Sequence, residues 1–187
     1  MKVIGVSGLP GSGKSLISNL SKKYGVYVIR MGDIVREEAE KRNEDSGATA
    51  INLRKEHGQY VLAKFTIKKI RKLFKSNRNY KKELVFLVEG IRSPYEVKMF
   101  KKNFKNFVLV SIFSSPKTRF NRLKQRNRSD DSSHFKDFQK RDERELKFGI
   151  GTVISTSDYI IINEEGIGKY KSQINKFLKK EIPSKSH

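Results

Sequence analysis

The chain has 187 residues, 36% of them apolar, which suits one domain of ordinary size able to bury a core without a disulfide or a structural metal. It contains no cysteine and only three scattered histidines, His57, His134 and His187, which excludes thiol redox chemistry, a zinc knuckle and a disulfide framework. Lys and Arg total 41 against 20 acidic residues, and the formal charge of +21 favours anionic ligands.

Residues 2–7, KVIGVS, read as a first strand, and residues 16–24 as the helix that follows a glycine-rich bend. VYVIRM at 26–31 reads as a second strand, before a charged amphipathic helix over 34–42. Val61, Leu62, Phe65, Ile70, Leu73 and Phe74 form a helical stripe with lysines opposite. LVFLVEG at 84–90 is the third strand. SPYEVKMFKKNF at 93–104 then starts a helix with Ser93 as N-cap and Pro94 at the first helical position. FVLVSIF at 107–113 is the fourth strand, and SPKTRFNRLKQR at 115–126 repeats the Ser-Pro start with Ser115 and Pro116. A polar stretch over 127–137 suits a surface segment. DYIIIN at 158–163 is the fifth strand, and the last residues, 181–187, are expected to fray. The apolar runs are nearly continuous rather than alternating, as in strands buried on both faces of a parallel sheet. The alternation of strand and helix implies an open α/β sheet with right-handed crossovers. No apolar run approaches the roughly 20 residues that span a bilayer. A cytoplasmic protein without a membrane partner is expected.

The bend between the first strand and its helix reads GLPGSGKS, comprising Gly8, Leu9, Pro10, Gly11, Ser12, Gly13, Lys14 and Ser15. The pattern is Gly, four residues, Gly-Lys-Ser, placed after a strand and before a helix. Its glycines let several backbone N–H groups converge on a phosphate chain, and the helix adds its positive amino-terminal end. Lys14 would reach the β and γ phosphates, and the Ser15 hydroxyl would coordinate Mg²⁺. Such a site wants a carboxylate at the end of a buried strand to hold the metal, directly or through water. Glu89 stands at that place.

With these motifs the sequence resembles the nucleoside and nucleotide kinase branch of the P-loop proteins, with features of adenylate kinases and dephospho-coenzyme A kinases. It is similar to an archaeal family related to those two, over about 165 residues from Val3 onward. The resemblance implies a three-layer α/β/α fold, a five-stranded parallel sheet in the order 2-3-1-4-5 and a small helical lid. It also implies an acceptor-site helical segment at about 33–82, a lid at about 119–147, and the cofactors ATP and Mg²⁺. MGDIVREE at 31–38 is similar to the adenylate kinase segment in which an arginine grips the acceptor phosphate, a role that passes to Arg36 with Gly32 and Asp33. In dephospho-coenzyme A kinases an aspartate there is the base that takes a proton from the acceptor hydroxyl, and Asp33 fits that role equally. It also fits the N-cap of a helix beginning at Ile34.

EGIRS at 89–93 resembles the adenylate kinase segment Asp-Gly-Phe-Pro-Arg without its proline, and Arg92 would face the acceptor. The departure puts an ordinary nucleoside monophosphate in doubt. RFNRLKQRNRSDD at 119–131 looks like a lid, in which Arg122, Arg126 and Arg128 would bring charge to the transferred phosphoryl group. Arg141 is next, although Asp137, Arg141 and Glu145 at i, i+4 spacing suit surface ion pairs. SDYIIINEEG at 157–166 resembles the stretch that packs along the adenine in dephospho-coenzyme A kinases. Asn163 would then contact the base, the alternative being a buried strand that ends in a turn.

The implied function is transfer of the γ-phosphoryl group of Mg-ATP to a nucleotide-like acceptor, a nucleoside monophosphate or a molecule like dephospho-coenzyme A. A P-loop ATPase or kinase bound to RNA or DNA is the alternative, since residues 64–82 hold nine basic residues and no acid. Weak nucleic-acid binding through that surface is expected on charge alone. Against a dedicated one, no aromatic platform interleaves with those lysines, and Phe65, Ile70 and Phe74 fall on the core stripe. A nucleotide-binding scaffold without turnover is the third class.

Overall fold

The computed structural model describes residues 1–77, 83–126 and 134–183. The five apolar runs form five strands, β1 (Lys2–Ser7), β2 (Tyr27–Arg30), β3 (Val85–Ile91), β4 (Phe107–Phe113) and β5 (Tyr159–Ile162). All are parallel, in the order β2-β3-β1-β4-β5 that the resemblance implied. β1 is central, and its Gly5 has no room for a side chain. A Cβ there would lie 2.6 Å from Ile91 Cδ1 and 2.8 Å from the Phe107 ring.

The described helices are α1 (Lys14–Lys22), α2 (Met31–Arg42), α3 (Ser46–His57), α4 (Val61–Ser76), α5 (Pro94–Asn103), α6 (Pro116–Arg126), α7 (Phe135–Lys147), α8 (Ile150–Ser155) and α9 (Ile167–Glu181). They lie on both faces of the sheet, giving three layers. On one face Val3, Phe86, Val88 and Leu109 bury against α2 to α5 and α8, through Ile34, Leu53, Ile67, Ile70, Phe100 and Val153. On the other, Ile4, Val6, Leu87, Val110 and Ile112 bury against Ile17 of α1 and Ile174, Phe177 and Leu178 of α9. This double burial removes apolar surface from water on both sides of every central strand, which is the chief favourable term of the fold.

Local chemistry starts the helices where the sequence suggests, with one exception. Ser93 and Glu96 form a reciprocal capping box at α5, with Pro94 in the first helical position. At α6 the Ser115 hydroxyl accepts from the Thr118 N–H. The exception is α2, which begins at Met31 directly from β2, with Arg30 in extended conformation at the N-cap position. Asp33 therefore lies in the first turn and is not the N-cap of a helix beginning at Ile34. Two helices, α3 and α8, were not anticipated. Of the expected polar segment, residues 127–133 lie outside the described residues, while Phe135 already opens α7.

The carboxyl-terminal helix is tied down further than expected. Glu181, where fraying was to begin, is buried and accepts from Lys2 Nζ and the Tyr159 hydroxyl, both at 2.8 Å. Among the described residues no helix is long and apolar enough to cross a membrane.

Candidate active site

At the carboxyl end of the sheet β1 runs into the bend of residues 8–15, in which Gly8, Gly11 and Gly13 all have positive φ. Gly13 carries the strictest demand. Its φ of 100° disfavours any side chain, and a Cβ there would collide with the Asn163 amide nitrogen. The bend is held from below. Asn163 Nδ2 donates to the Ser12 carbonyl at 2.8 Å, and the Tyr170 hydroxyl of α9 donates to the Gly13 carbonyl at 3.0 Å. Burial pushes the Tyr170 phenol well above the usual range, so it stays a neutral donor at any physiological pH.

Lys14 Nζ donates to the carbonyls of Gly8, at 2.7 Å, and Leu9, at 3.0 Å, and so crosses the mouth of its own loop. Burial pulls its ammonium down to about 8, against the opposing attraction of Glu89. At neutral pH it remains mostly charged. Ser15 follows on the exposed first turn of α1.

Glu89 stands two residues before the end of β3, in register with Val6 of β1 and Arg30 of β2. Its Oε2 accepts from Ser18 Oγ at 2.5 Å and from Arg30 Nε at 3.2 Å. Ser15 and Glu89 line one cavity, and their hydroxyl and carboxylate are the hard oxygen donors that Mg²⁺ prefers. The residues therefore fit the ion, which the Ser15 hydroxyl and the Glu89 carboxylate would hold. Among the described residues there is no cluster of three or more His, Cys, Asp or Glu that could hold a metal by itself.

The cavity measures about 580 Å³. Into it converge Lys14, Ser15, Asp33, Arg36, Glu89, Arg92, Arg122 and Arg126, together with Pro10, Gly11 and Gly13 of the bend. These residues come from four separate stretches of sequence. Among its described lining residues seven are cations (Lys14, Arg30, Arg36, Arg92, Arg122, Arg126 and Arg141) and two are acids (Asp33 and Glu89), an excess suited to a polyphosphate. Asp33 and Arg36 pair with each other across one turn of α2. Arg92 Nη1 donates to Glu145 of α7 at 3.0 Å. Arg122 donates to Ser114 Oγ and to both the carbonyl and the side-chain oxygen of Asn163. Asn163 is buried and engaged on both its side-chain atoms, holding the bend to Arg122 rather than lining the cavity. Arg128 lies outside the described residues.

Sequence reasoning missed several supports. Arg30 and Asn19 line the cavity and hydrogen-bond to each other. Arg119 is buried and joins three elements. It donates to the Pro10 carbonyl of the bend and the Ser114 carbonyl, grips Asp142 of α7 with two nitrogens, and lies over the Phe138 ring. Phe120, Phe135 and Phe138 pack together, so α6 and α7 are joined by an aromatic cluster as well as by an ion pair. Glu145, expected in a surface row with Asp137 and Arg141, is instead buried against Arg92. The turn after β5 is fixed by Glu164, which accepts from the Ser115 N–H and the Thr118 hydroxyl. The backbone hydrogen bond from Ser115, followed by that from Thr118, holds the Glu164 carboxyl below the usual range.

Residues 7–137 match the profile of the AAA domain. The chain is 50% identical over 180 residues to a UPF0200 protein of Methanothermobacter thermautotrophicus, covering 96% of this chain and 90% of that one. It is 47% identical over 187 residues to a UPF0200 protein of Methanococcus vannielii, covering 97% of both. Among solved structures it superposes on the shikimate kinase of Bacteroides thetaiotaomicron with a TM-score of 0.60 at 15% identity, over 94% of this chain and 96% of that one. A likeness at that identity concerns the fold.

Proposed function

This chain belongs to the UPF0200 family and carries the AAA domain, and we propose that it is an ATP-dependent phosphotransferase moving the γ-phosphoryl group of Mg-ATP to a nucleotide-like small acceptor. The acceptor is a nucleoside monophosphate or a molecule like dephospho-coenzyme A. One observation carries this reading: the phosphate bend, a strand-end carboxylate, and an Asp-Arg pair with a further arginine line a single cavity.

In this reading the bend and the start of α1 hold the phosphate chain through backbone N–H groups, while Lys14 leaves the Gly8 and Leu9 carbonyls for the β and γ phosphates. Ser15 and Glu89 would hold Mg²⁺, which would supply charge neutralisation to the phosphate chain. The acceptor oxygen attacks phosphorus in line, and the bond to the bridging oxygen breaks with its electron pair leaving on ADP. Arg126 and Arg122 supply charge to the transferred group from α6. A hydroxyl acceptor gives its proton to Asp33, and Arg36 orients that carboxylate. A phosphate acceptor is instead clamped by Arg36 and Arg92.

The test is a screen for ADP release with Mg-ATP across nucleoside monophosphates and dephospho-coenzyme A. Turnover with one class, far above the ATPase background, is expected. Tight ATP binding with background hydrolysis alone across the whole panel contradicts the acceptor class.

A further inference from the structure

Of the basic stretch of residues 64–82, the part in α4 shares its face of the fold with a second helix, while residues 78–82 lie outside the described residues. α4 and α5 pack side by side on the sheet, bridged by Arg71 Nη2 donating to Asn103 Oδ1 at 2.8 Å. The apolar side chains of both helices turn inward, Ile67 and Ile70 from α4 and Val97 and Phe100 from α5. The outward positions of α4 are Lys64, Lys68, Lys69, Arg71, Lys72 and Lys75, and those of α5 are Lys98, Lys101 and Lys102. Neither helix shows a carboxylate to solvent. α4 has no acid, and the single acid of α5, Glu96, is fully buried against Arg54. Among the described residues, of these outward cations only Lys69, on the α2 side, reaches a carboxylate, that of Glu37.

α5 starts beyond the carboxyl end of β3, two residues after Arg92, which lines the cavity. There Tyr95 and Tyr60 meet edge to face with centroids 5.5 Å apart, and Tyr95 is 47% exposed. An aromatic platform thus exists at the head of the cationic face. It was invisible in the sequence because its two rings lie 35 positions apart and neither falls among the lysines of residues 64–82.

We propose that the α4–α5 face binds single-stranded polynucleotide, its phosphates on the lysine rows and a base stacked on Tyr95 at the head of the face. A row of cations without interspersed acids attracts a continuous polyanion. An exposed ring adds stacking that only an unpaired base can use, which selects a single strand over a duplex. An anionic membrane suits the face less well, because its exposed positions offer no aliphatic side chain to insert. The inference goes beyond phosphoryl transfer and does not depend on it.

The experiment is fluorescence anisotropy of a labelled 12-nucleotide single-stranded RNA with the full chain, titrated in KCl. Five neutralised phosphates give a slope of log affinity on log salt of about −3.5, or roughly hundredfold between 50 and 200 mM. The combined change Lys68→Glu, Lys72→Glu, Lys98→Glu and Lys102→Glu should weaken binding at least ~30-fold and flatten the slope. Its control carries the same change in net charge on α9, Lys169→Glu, Lys171→Glu, Lys176→Glu and Lys179→Glu, and should stay within about threefold of native. Tyr95→Ala should weaken RNA about tenfold while leaving inorganic polyphosphate binding unchanged. Lys14→Ala should bind RNA as the native chain does, so a failure of the phosphotransfer reading leaves this result standing. Equal losses from the α4–α5 and α9 reversals would overturn the proposal, as would an inert Tyr95→Ala or tighter binding to phosphatidylglycerol vesicles than to RNA. Thermal melts of each variant separate lost binding from lost fold.

Discussion

At the scale of single residues, Lys14 and the Asp33–Arg36 pair carry the most testable chemistry. Burial holds the Lys14 pKa at about 8, so the side chain is cationic below that pH and neutral above it. Affinity of the free protein for ATP therefore declines as pH rises through about 8, where Lys14 loses its charge. The dissociation constant of a fluorescent ATP analogue between pH 6 and 9.5 measures this, and a flat profile to pH 9.5 contradicts it. Asp33 and Arg36 line the same cavity, and in the proposed reaction they would serve different acceptors. If the acceptor is a hydroxyl, Asp33→Asn should lower kcat by roughly 10²–10⁴-fold with little change in acceptor KM. For a phosphate acceptor, Arg36→Ala should mainly raise acceptor KM. Steady-state kinetics on the two variants separates the cases, and full activity in both removes α2 from the site.

At the scale of elements, the buried pair of Arg54 and Glu96 joins α3 to the start of α5, and Glu96 also accepts from the Arg92 and Ser93 N–H groups. Glu96→Ala strips partners from a buried guanidinium and from two backbone donors. The expected cost is about 3–5 kcal/mol, or a fall in melting temperature of roughly 6–20 °C. Lys72→Glu on the exposed face of α4 should change stability by no more than about 0.5 kcal/mol. Calorimetry of both variants checks the contrast, and a Glu96→Ala protein that melts with the native one refutes the role given to this pair.

The same elements explain what the sequence could and could not disclose. β1 to β5 were legible because strands buried on both faces are written as unbroken apolar runs. The capping box of α5 was legible because Ser93, Pro94 and Glu96 are adjacent. α3 was not, because Ala50, Leu53 and the buried Arg54 make no apolar stripe of helical period. Asp45, whose carboxylate accepts from the Gly47 and Ala48 N–H groups, and Gly58, with its positive φ past the last turn, were the signals available. α8 has six residues, too few for periodicity to register, and its start depends on Gly149 in a left-handed conformation beneath Pro94.

At the scale of the whole molecule, the glycine bend between β1 and α1 was legible because its residues are contiguous. The rest of the cavity was readable only as candidate residues, since Arg30, Arg119, Glu145 and Tyr170 acquire their parts from partners 59, 109, 53 and 157 positions away. No local pattern encodes such pairings. On α6 three arginines were visible, yet only the packing assigns them. Arg119 braces the Pro10 carbonyl against α7, while Arg122 and Arg126 reach the cavity. The central claim is that this cavity transfers phosphoryl groups by means of Lys14. Its most direct test follows label from γ-³²P-ATP into the acceptor found by the screen, for the native chain and Lys14→Ala at matched folded concentration. Loss of a transition-state cation of this kind is worth at least ~3 kcal/mol. The account predicts a fall in label transfer of at least ~100-fold with the melting temperature retained, and transfer by Lys14→Ala at near the native rate would contradict it.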